Sequence, residues 1–233
     1  LEQASTAGEY VKTTSTINSA PRFDHKVTRT TTNLLTNSED LTASGWGVST
    51  SGTASTPVVT ANYGVAPDGS LTADRVQLDK GSGDTTSDSA TLKNESFNTV
   101  VGKNYIQSVY LKTTDNSTKL VRFSFNGSSA TLLTVTGEWQ RFVIYLSSAG
   151  DTVRRFRLNL RGSFGTSDTA DLLVWGAQAE QASDVGPYVK TTGASATKVD
   201  AESLGLLVEE ARTNLVPYSV PDLDNRWEGA GTS

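Results

Sequence analysis

The sequence predicts an all-β protein built as a two-sheet sandwich, and three observations lead there. Short stretches alternate apolar and polar residues with a period of two. Turn-forming residues punctuate them at short intervals, while helix is signalled weakly throughout. The chain is rich in Thr, Ser, Gly and Asn and contains no Met. Thr and the β-branched residues suit pleated strands, and Ser, Gly and Asn suit the turns between them.

Taken in order, the stretch 58–63 is a strand followed by a turn at Pro67-Asp68-Gly69. A second strand covers 71–78 and leads into the turn-rich stretch 80–88. In 105–112, Tyr105, Gln107, Val109 and Leu111 share one face, and Ile106, Ser108, Tyr110 and Lys112 share the other. In 120–126, Val121, Phe123 and Phe125 face away from Arg122, Ser124 and Asn126. Phe142, Ile144 and Leu146 align in 139–146, and Phe156, Leu158 and Leu160 oppose Arg155, Arg157, Asn159 and Arg161 in 154–161. The run Asp171-Leu172-Leu173-Val174-Trp175-Gly176 is almost continuously apolar, as a strand covered on both sides is. About eight or nine such strands make a sandwich. The stretch 201–212 has some helical composition but is interrupted by Gly205, and Leu206-Leu207-Val208 reads equally as strand.

The two ends of the chain repeat one another. Glu2-Gln3-Ala4-Ser5 and Tyr10-Val11-Lys12-Thr13-Thr14 return 178 positions on, as Glu180-Gln181-Ala182-Ser183 and Tyr188-Val189-Lys190-Thr191-Thr192. Thr32-Asn33-Leu34, Ser38 and Trp46 return 181 positions on, as Thr213-Asn214-Leu215, Ser219 and Trp227. A period this long is that of whole domains, since solenoid repeats run ~20–50 residues. The expected organisation is one complete unit at 33–192, with connectors at 15–32 and 193–213. Residues 1–14 then read as the tail of a preceding unit and 214–233 as the head of a following one. The chain opens without Met and is expected to be a segment of a longer modular protein.

Composition narrows the chemistry. Without Cys, neither disulfides nor thiolate metal sites exist. A net charge of −5 argues against a nucleic-acid partner. No run approaches the ~18 apolar residues of a membrane helix, so no membrane insertion is expected. His25 is the only histidine, in the expected connector, and no glycine-rich phosphate loop precedes a helix. The acidic residues fall mostly in turn-like segments, at Glu39-Asp40, Asp68, Asp84, Asp88, Asp115, Asp151 and Asp168, where solvated turn roles are the ordinary reading. No catalytic residue is assigned. A depolymerase working through a carboxylate pair is the remaining enzymatic alternative.

Three segments carry a resemblance. Pro21-Arg22-Phe23-Asp24, the run from Gly205 to Leu215 (Gly-Leu-Leu-Val-Glu-Glu-Ala-Arg-Thr-Asn-Leu) and Trp175-Gly176-Ala177-Gln178-Ala179-Glu180 resemble recurring segments of bacteriophage tail and fibre proteins. There, a connector of this type leads into a jelly-roll domain similar to carbohydrate-binding modules. Each connector here keeps one half of the pattern and lacks the other. The resemblance implies a jelly-roll-like sandwich in a virion structural protein, a tail fibre or a head or tail appendage at the particle surface. Its partners would be other virion proteins, copies of itself and a host-surface polysaccharide. A purely architectural or capsid-decoration module without ligand is the alternative. Similar modules commonly carry a structural Ca²⁺, for which Asp171 at the head of the closing strand is the position to watch.

A sugar site needs flat rings and polar groups on an open sheet face. Tyr110 and Tyr145 lie opposite their strands' main apolar sets and are the expected platform, with Arg122 and Asn126 as polar neighbours. Trp46, recurring as Trp227, reads as a plug over the sandwich edge at least as well as a platform, and Tyr105 reads as buried. Arg122, Arg141, Arg155, Arg157 and Arg161 form a basic patch if their three strands are neighbours; such a patch suits an anionic glycan or an acidic partner surface.

Overall fold

The computed structural model describes residues 26–94, 96–126, 128–147 and 153–203. Within them Thr30–Lys198 form one compact unit. The end segments 1–14 and 214–233, and the connector stretches 15–25 and 204–213, lie outside the described residues.

Fourteen strands are found among the described residues: β1 (Lys26–Asn33), β2 (Trp46–Ser51), β3 (Ser55–Gly64), β4 (Ala73–Asp79), β5 (Ser89–Asn94), β6 (Phe97–Asn98), β7 (Tyr105–Thr113), β8 (Lys119–Phe125), β9 (Ser128–Val135), β10 (Gln140–Leu146), β11 (Val153–Arg154), β12 (Phe156–Arg161), β13 (Thr169–Glu180) and β14 (Ala196–Ser203). A short 3₁₀ turn, Gly162–Phe164, follows β12. Two five-stranded antiparallel sheets make the sandwich. The first runs β10-β7-β13-β4-β3 and the second β2-β5-β12-β8-β9. The chain crosses repeatedly between them, so most sheet neighbours are far apart in sequence, as in a jelly roll.

Alternation places the core. Val76 and Leu78 of β4, Val109 and Leu111 of β7, and Leu172 and Val174 of β13 turn inward from the first sheet. Leu92, Val121, Phe123, Phe125, Phe156, Leu158 and Leu160 meet them from the second. The Phe156 ring lies 4.8 Å from Phe123 and edge-on to Trp46 at 5.3 Å. Fully burying one such ring contributes about 1.5–3 kcal/mol. Trp46 is half-buried and donates its indole N–H to the Asn37 carbonyl at 2.6 Å, so it closes the sandwich edge. Tyr105 is buried, as its face predicts.

The second face of β13 is also covered. Leu173 and Trp175 point out of the sandwich, where they pack with Ala66, Ala73, Tyr110, Trp139 and Tyr188. A register shift between Trp175 and Gln178 against β7 marks a bulge, and Gly176 sits there at φ 65°. A Cβ at Gly176 would stand 3.2 Å from the Tyr110 ring, so both backbone and space favour glycine. Residues 184–192 form a strap across this outer face. Gln178 accepts from the Val189 N–H at 2.8 Å, and Glu180 from the Gly186 N–H at 2.9 Å, while Tyr188 packs 4.5 Å from Trp175.

The residues that recur at the chain's two ends meet in this structure. Asn33 is fully buried and bonds at all its side-chain atoms: its amide donates to the carbonyls of Ala177 (3.0 Å) and Val189 (2.9 Å), and its oxygen accepts from the N–H groups of Leu35 and Ala179 (both 3.1 Å). The Ser38 hydroxyl lies 2.6 Å from the Tyr188 hydroxyl and accepts from the Thr191 N–H at 2.8 Å. The Tyr188 hydroxyl donates to Glu39 at 2.9 Å, and burial raises its pKa above the ordinary phenol value. Asn37 bridges to Thr192. Asn33 and Ser38 of the head motif and the Tyr188 to Thr192 run of the tail motif are thus two sides of one seam. At its outer end β1 pairs with β14, and Thr32 Oγ1 lies 2.9 Å from Thr197 Oγ1.

Three acidic turn residues share one local device. Asp40, Asp68 and Asp115 each accept from the N–H and hydroxyl of the Thr or Ser two positions on. Asp88 does more: one oxygen takes the Thr53 N–H (3.0 Å) and hydroxyl (2.9 Å), the other the Thr85 N–H (3.0 Å) and hydroxyl (2.7 Å). These bonds, that from the Thr85 hydroxyl foremost, hold its pKa well below 3.8. A carboxylate with a depressed folded pKa gives stability that is present above its unfolded value and lost as pH falls through the folded one. Urea midpoints should therefore fall as pH drops from about 4 to about 2, and part of that fall should vanish in Asp88→Asn. Identical slopes in the two proteins would refute the assignment.

Candidate functional site

The four residues expected to form one sugar site do not converge. Tyr110 and Tyr145 belong to the first sheet, Arg122 and Asn126 to the second sheet and the turn after β8, on the opposite side of the sandwich. Tyr110 is half-buried, packs edge-on against Trp175 at 5.4 Å and lies under the Arg141 guanidinium at 5.6 Å. Its ring belongs to the small outer core beside the strap. Tyr145 is 53% exposed on the same sheet, two residues along β10 from Val143. The basic patch divides the same way: Arg141 is on β10 and donates to Ser108 of β7 at 3.0 Å, whereas Arg122, Arg157 and Arg161 lie in the second sheet. The physical reason is topology, because β9 and β10 are consecutive in the chain but lie in different sheets.

Asp171 is likewise committed elsewhere. Its carboxylate grips the Arg75 guanidinium through both oxygens, Oδ1 accepting from Nε at 2.8 Å and Oδ2 from Nη2. A hollow of about 340 Å³ beside it is also lined by Asp79 and Asp115, but those accept from the N–H groups of Gly81 (2.7 Å) and Ser117 (3.0 Å). Among the described residues no group of three or more His, Cys, Asp or Glu side chains is arranged to hold a metal ion. In this structure the carboxylate expected to hold Ca²⁺ is paired with the Arg75 guanidinium.

The outer face of the second sheet is built differently. Antiparallel registers align Ser49, Thr91, Asn159, Arg122 and Leu132 in one row across all five strands. Aligned residues project to the same side. On either side of that row lie Lys93, Arg157 and Ser124, and Ser51, Ser89 and Arg161. The central row is hydrogen-bonded internally: Asn159 donates to Thr91 at 3.4 Å, and Arg122 Nη1 donates to Ser124 at 3.2 Å and to Asn159 at 3.4 Å. Arg122 is only 2% exposed, beneath the Phe164 ring, whose centroid is 4.2 Å from its guanidinium carbon. Phe164 itself is 43% exposed, carried over the face by the 3₁₀ turn. Arg161 reaches the Thr86 carbonyl at 2.7 Å, and Arg157 reaches Asn126 at 3.4 Å.

Among the described residues, the charged side chains in these rows are all cationic. No carboxylate forms an ion pair with Arg122, Arg157 or Arg161 among the described residues. Burial first, then the neighbouring guanidinium of Arg161, lowers the pKa of both Arg122 and Arg157. The Nε atoms of Arg122 and Arg157 are buried with no hydrogen-bond partner. The face therefore offers an exposed ring and two partly exposed guanidinium groups, above a buried polar layer of Thr91, Asn159, Arg122 and Ser124. Phe164, Asn159, Ser124 and Thr91 were not singled out by sequence reasoning. The alternation places Asn159 and Ser124 opposite the apolar set, but Phe164 sits in a turn, where periodicity says nothing.

No protein-family model matches the chain, and no curated protein matches it. Among solved structures it is similar to the enzymatically active domain of tailspike protein 4 of bacteriophage CBA120, at TM-score 0.45 and 14% identity over 64% of this chain. The chain spans 21% of that structure's length. It is also similar to the family 11 carbohydrate-binding module of the Clostridium thermocellum cellulase Lic26A-Cel5E (TM-score 0.43, 10% identity, 65% of this chain and 95% of that one). A third likeness is to a carbohydrate-binding module of the β-sandwich superfamily described as promiscuous in specificity (TM-score 0.44, 13% identity, 70% and 79%). Likeness of this degree assigns neither ligand nor activity; the sandwich is defined by its own sheets and registers.

Proposed function

We propose that the unit is a non-catalytic glycan-binding module of a phage-type virion appendage, and that it binds host-surface polysaccharide through the outer face of the second sheet. One observation carries the reading. The strap and the apolar cluster beneath it cover the middle of the first sheet's outer face and leave Tyr63 and Tyr145 exposed on its edge strands. The second sheet instead sets partly exposed guanidinium groups, with no acidic partner among the described residues, beside the exposed Phe164 ring. Pyranose rings are recognised by this combination: an aromatic face for the C–H side and fixed hydrogen-bond donors for the hydroxyls. The virion setting is supported by the resemblance of the 21–24, 175–180 and 205–215 segments to phage tail and fibre proteins. Tandem units in contact with other virion proteins and with copies of the chain belong to the same proposal. The acidic turn residues Asp40, Asp68, Asp88 and Asp115 are occupied in shaping loops, which supports binding without hydrolysis.

The full chain on a glycan array should bind a limited set of glycans. Phe164→Ala should weaken that binding about tenfold or more, while Tyr145→Ala leaves it unchanged. The converse pattern would return the site to the first sheet. Absence of any binding would leave an architectural module as the better reading, and steady release of reducing ends would make the chain a depolymerase.

A further inference from the structure

Resting on that reading, we infer that the sugar held on the second sheet is anionic, bearing carboxylate or sulfate groups, and that Arg157 and Arg161 grip it above a floor fixed by Arg122. Three guanidinium groups share one sheet face, within reach of one another, without an acidic partner among the described residues. One guanidinium group elsewhere in the unit shows the contrast, although Arg141 on the first sheet also bonds only a hydroxyl among the described residues. Arg75, on the first sheet, holds Asp171 with a two-pronged grip.

An unneutralised cluster is costly to assemble, because like charges repel and a buried guanidinium loses hydration. Arg122 shows that cost most clearly, being almost wholly buried with its Nε unbonded. Arg157 also has a buried, unbonded Nε, while Arg161 Nε is turned to the Thr86 carbonyl. Guanidinium forks match the planar oxygen pair of a carboxylate, and they fit sulfate equally well. Phe164, stacked on Arg122 and 6.0 Å from Arg161, sets an apolar ring beside the charge, where the carbon face of the same sugar would lie. A neutral glycan would leave the three cations as they are. An anionic one supplies the partner they lack.

The chain's net charge of −5 makes the test selective, since a polyanion is repelled by the molecule as a whole and can be held only by a local positive face. The full chain would be run in affinity gels containing polygalacturonate, dextran sulfate, neutral dextran or duplex DNA. Retardation is expected with polygalacturonate or dextran sulfate and not with neutral dextran. It should weaken about tenfold or more in the double variant Arg157→Gln/Arg161→Gln, because a charge-assisted hydrogen bond is worth at least about one factor of ten. Both positions are partly exposed, and an unchanged melting curve would show that the variant folds. Equal retardation by neutral dextran would overturn the anionic preference while leaving glycan binding intact. Undiminished retardation in the double variant would overturn the site. Retardation by DNA as strong as by the acidic polysaccharides would make this a general polyanion surface and overturn the sugar assignment. No retardation in any gel would overturn the inference, and if the array also shows no binding, the reading on which it rests falls with it.

Discussion

Asn33→Ala is expected to lower the unfolding free energy by about 4 kcal/mol. The side chain is fully buried and makes four hydrogen bonds, all to backbone groups of three separate segments: the turn after β1, strand β13 and the strap. Alanine would strand two carbonyls and two N–H groups away from water. Each stranded group costs about 1–3 kcal/mol, reduced where relaxation admits a water. Asn33→Asp should be nearly as harmful, since it keeps the acceptors, loses both donors and buries a charge opposite two carbonyls. Urea unfolding should show a lower midpoint with an unchanged slope. A loss below about 1 kcal/mol would mean that water takes over the junction and that the side chain is not its organiser.

Trp175→Ala should cost about 3–5 kcal/mol, as large-to-small changes at buried aromatic residues do. Its effect should also be local. The Trp175 ring lies between Tyr110 and Tyr188, with its indole N–H on the Thr72 hydroxyl at 2.9 Å, so it is the surface on which the strap rests. Removing it should release 184–192 before the two sheets separate, a sub-global opening of the kind seen where few apolar contacts hold a segment. Trypsin reports this directly, because Lys190 is exposed and sits on the strap. Cleavage there should accelerate well before circular dichroism registers unfolding. Cleavage keeping pace with global unfolding would show that the strap and sandwich open as one unit.

Much of the architecture was legible from period alone. The alternation in β7, β8, β10 and β12 assigned their inner faces correctly, and the unbroken apolar run of β13 marked the strand with both faces covered. Strands β2, β5 and β9 were missed because Trp46–Ser51, Ser89–Asn94 and Ser128–Val135 are dominated by Ser, Thr, Gly and short side chains that read equally as turns. The site was legible only in part. Alternation shows that Arg122, Asn159 and Arg157 point away from their apolar neighbours, but it is silent on which strands share a sheet. That is why Arg141, exposed by the same logic, was grouped with residues on the far side. Burial of Arg122 under Phe164 depends on a three-residue turn whose direction no periodicity encodes.

The chain enters and leaves the unit side by side, where Thr32 and Thr197 touch. Neighbouring entry and exit points mean that a segment inserted between Thr32 and Thr197 returns to where it began, so the unit's own length adds little to the separation of its flanks. The reach of a tandem array would be set by the connectors, and adding a unit would lengthen it little. A pull on the two ends would reach the unit at neighbouring rungs, Thr32 and Thr197, and would act across their pairing and not along the strands of the two large sheets.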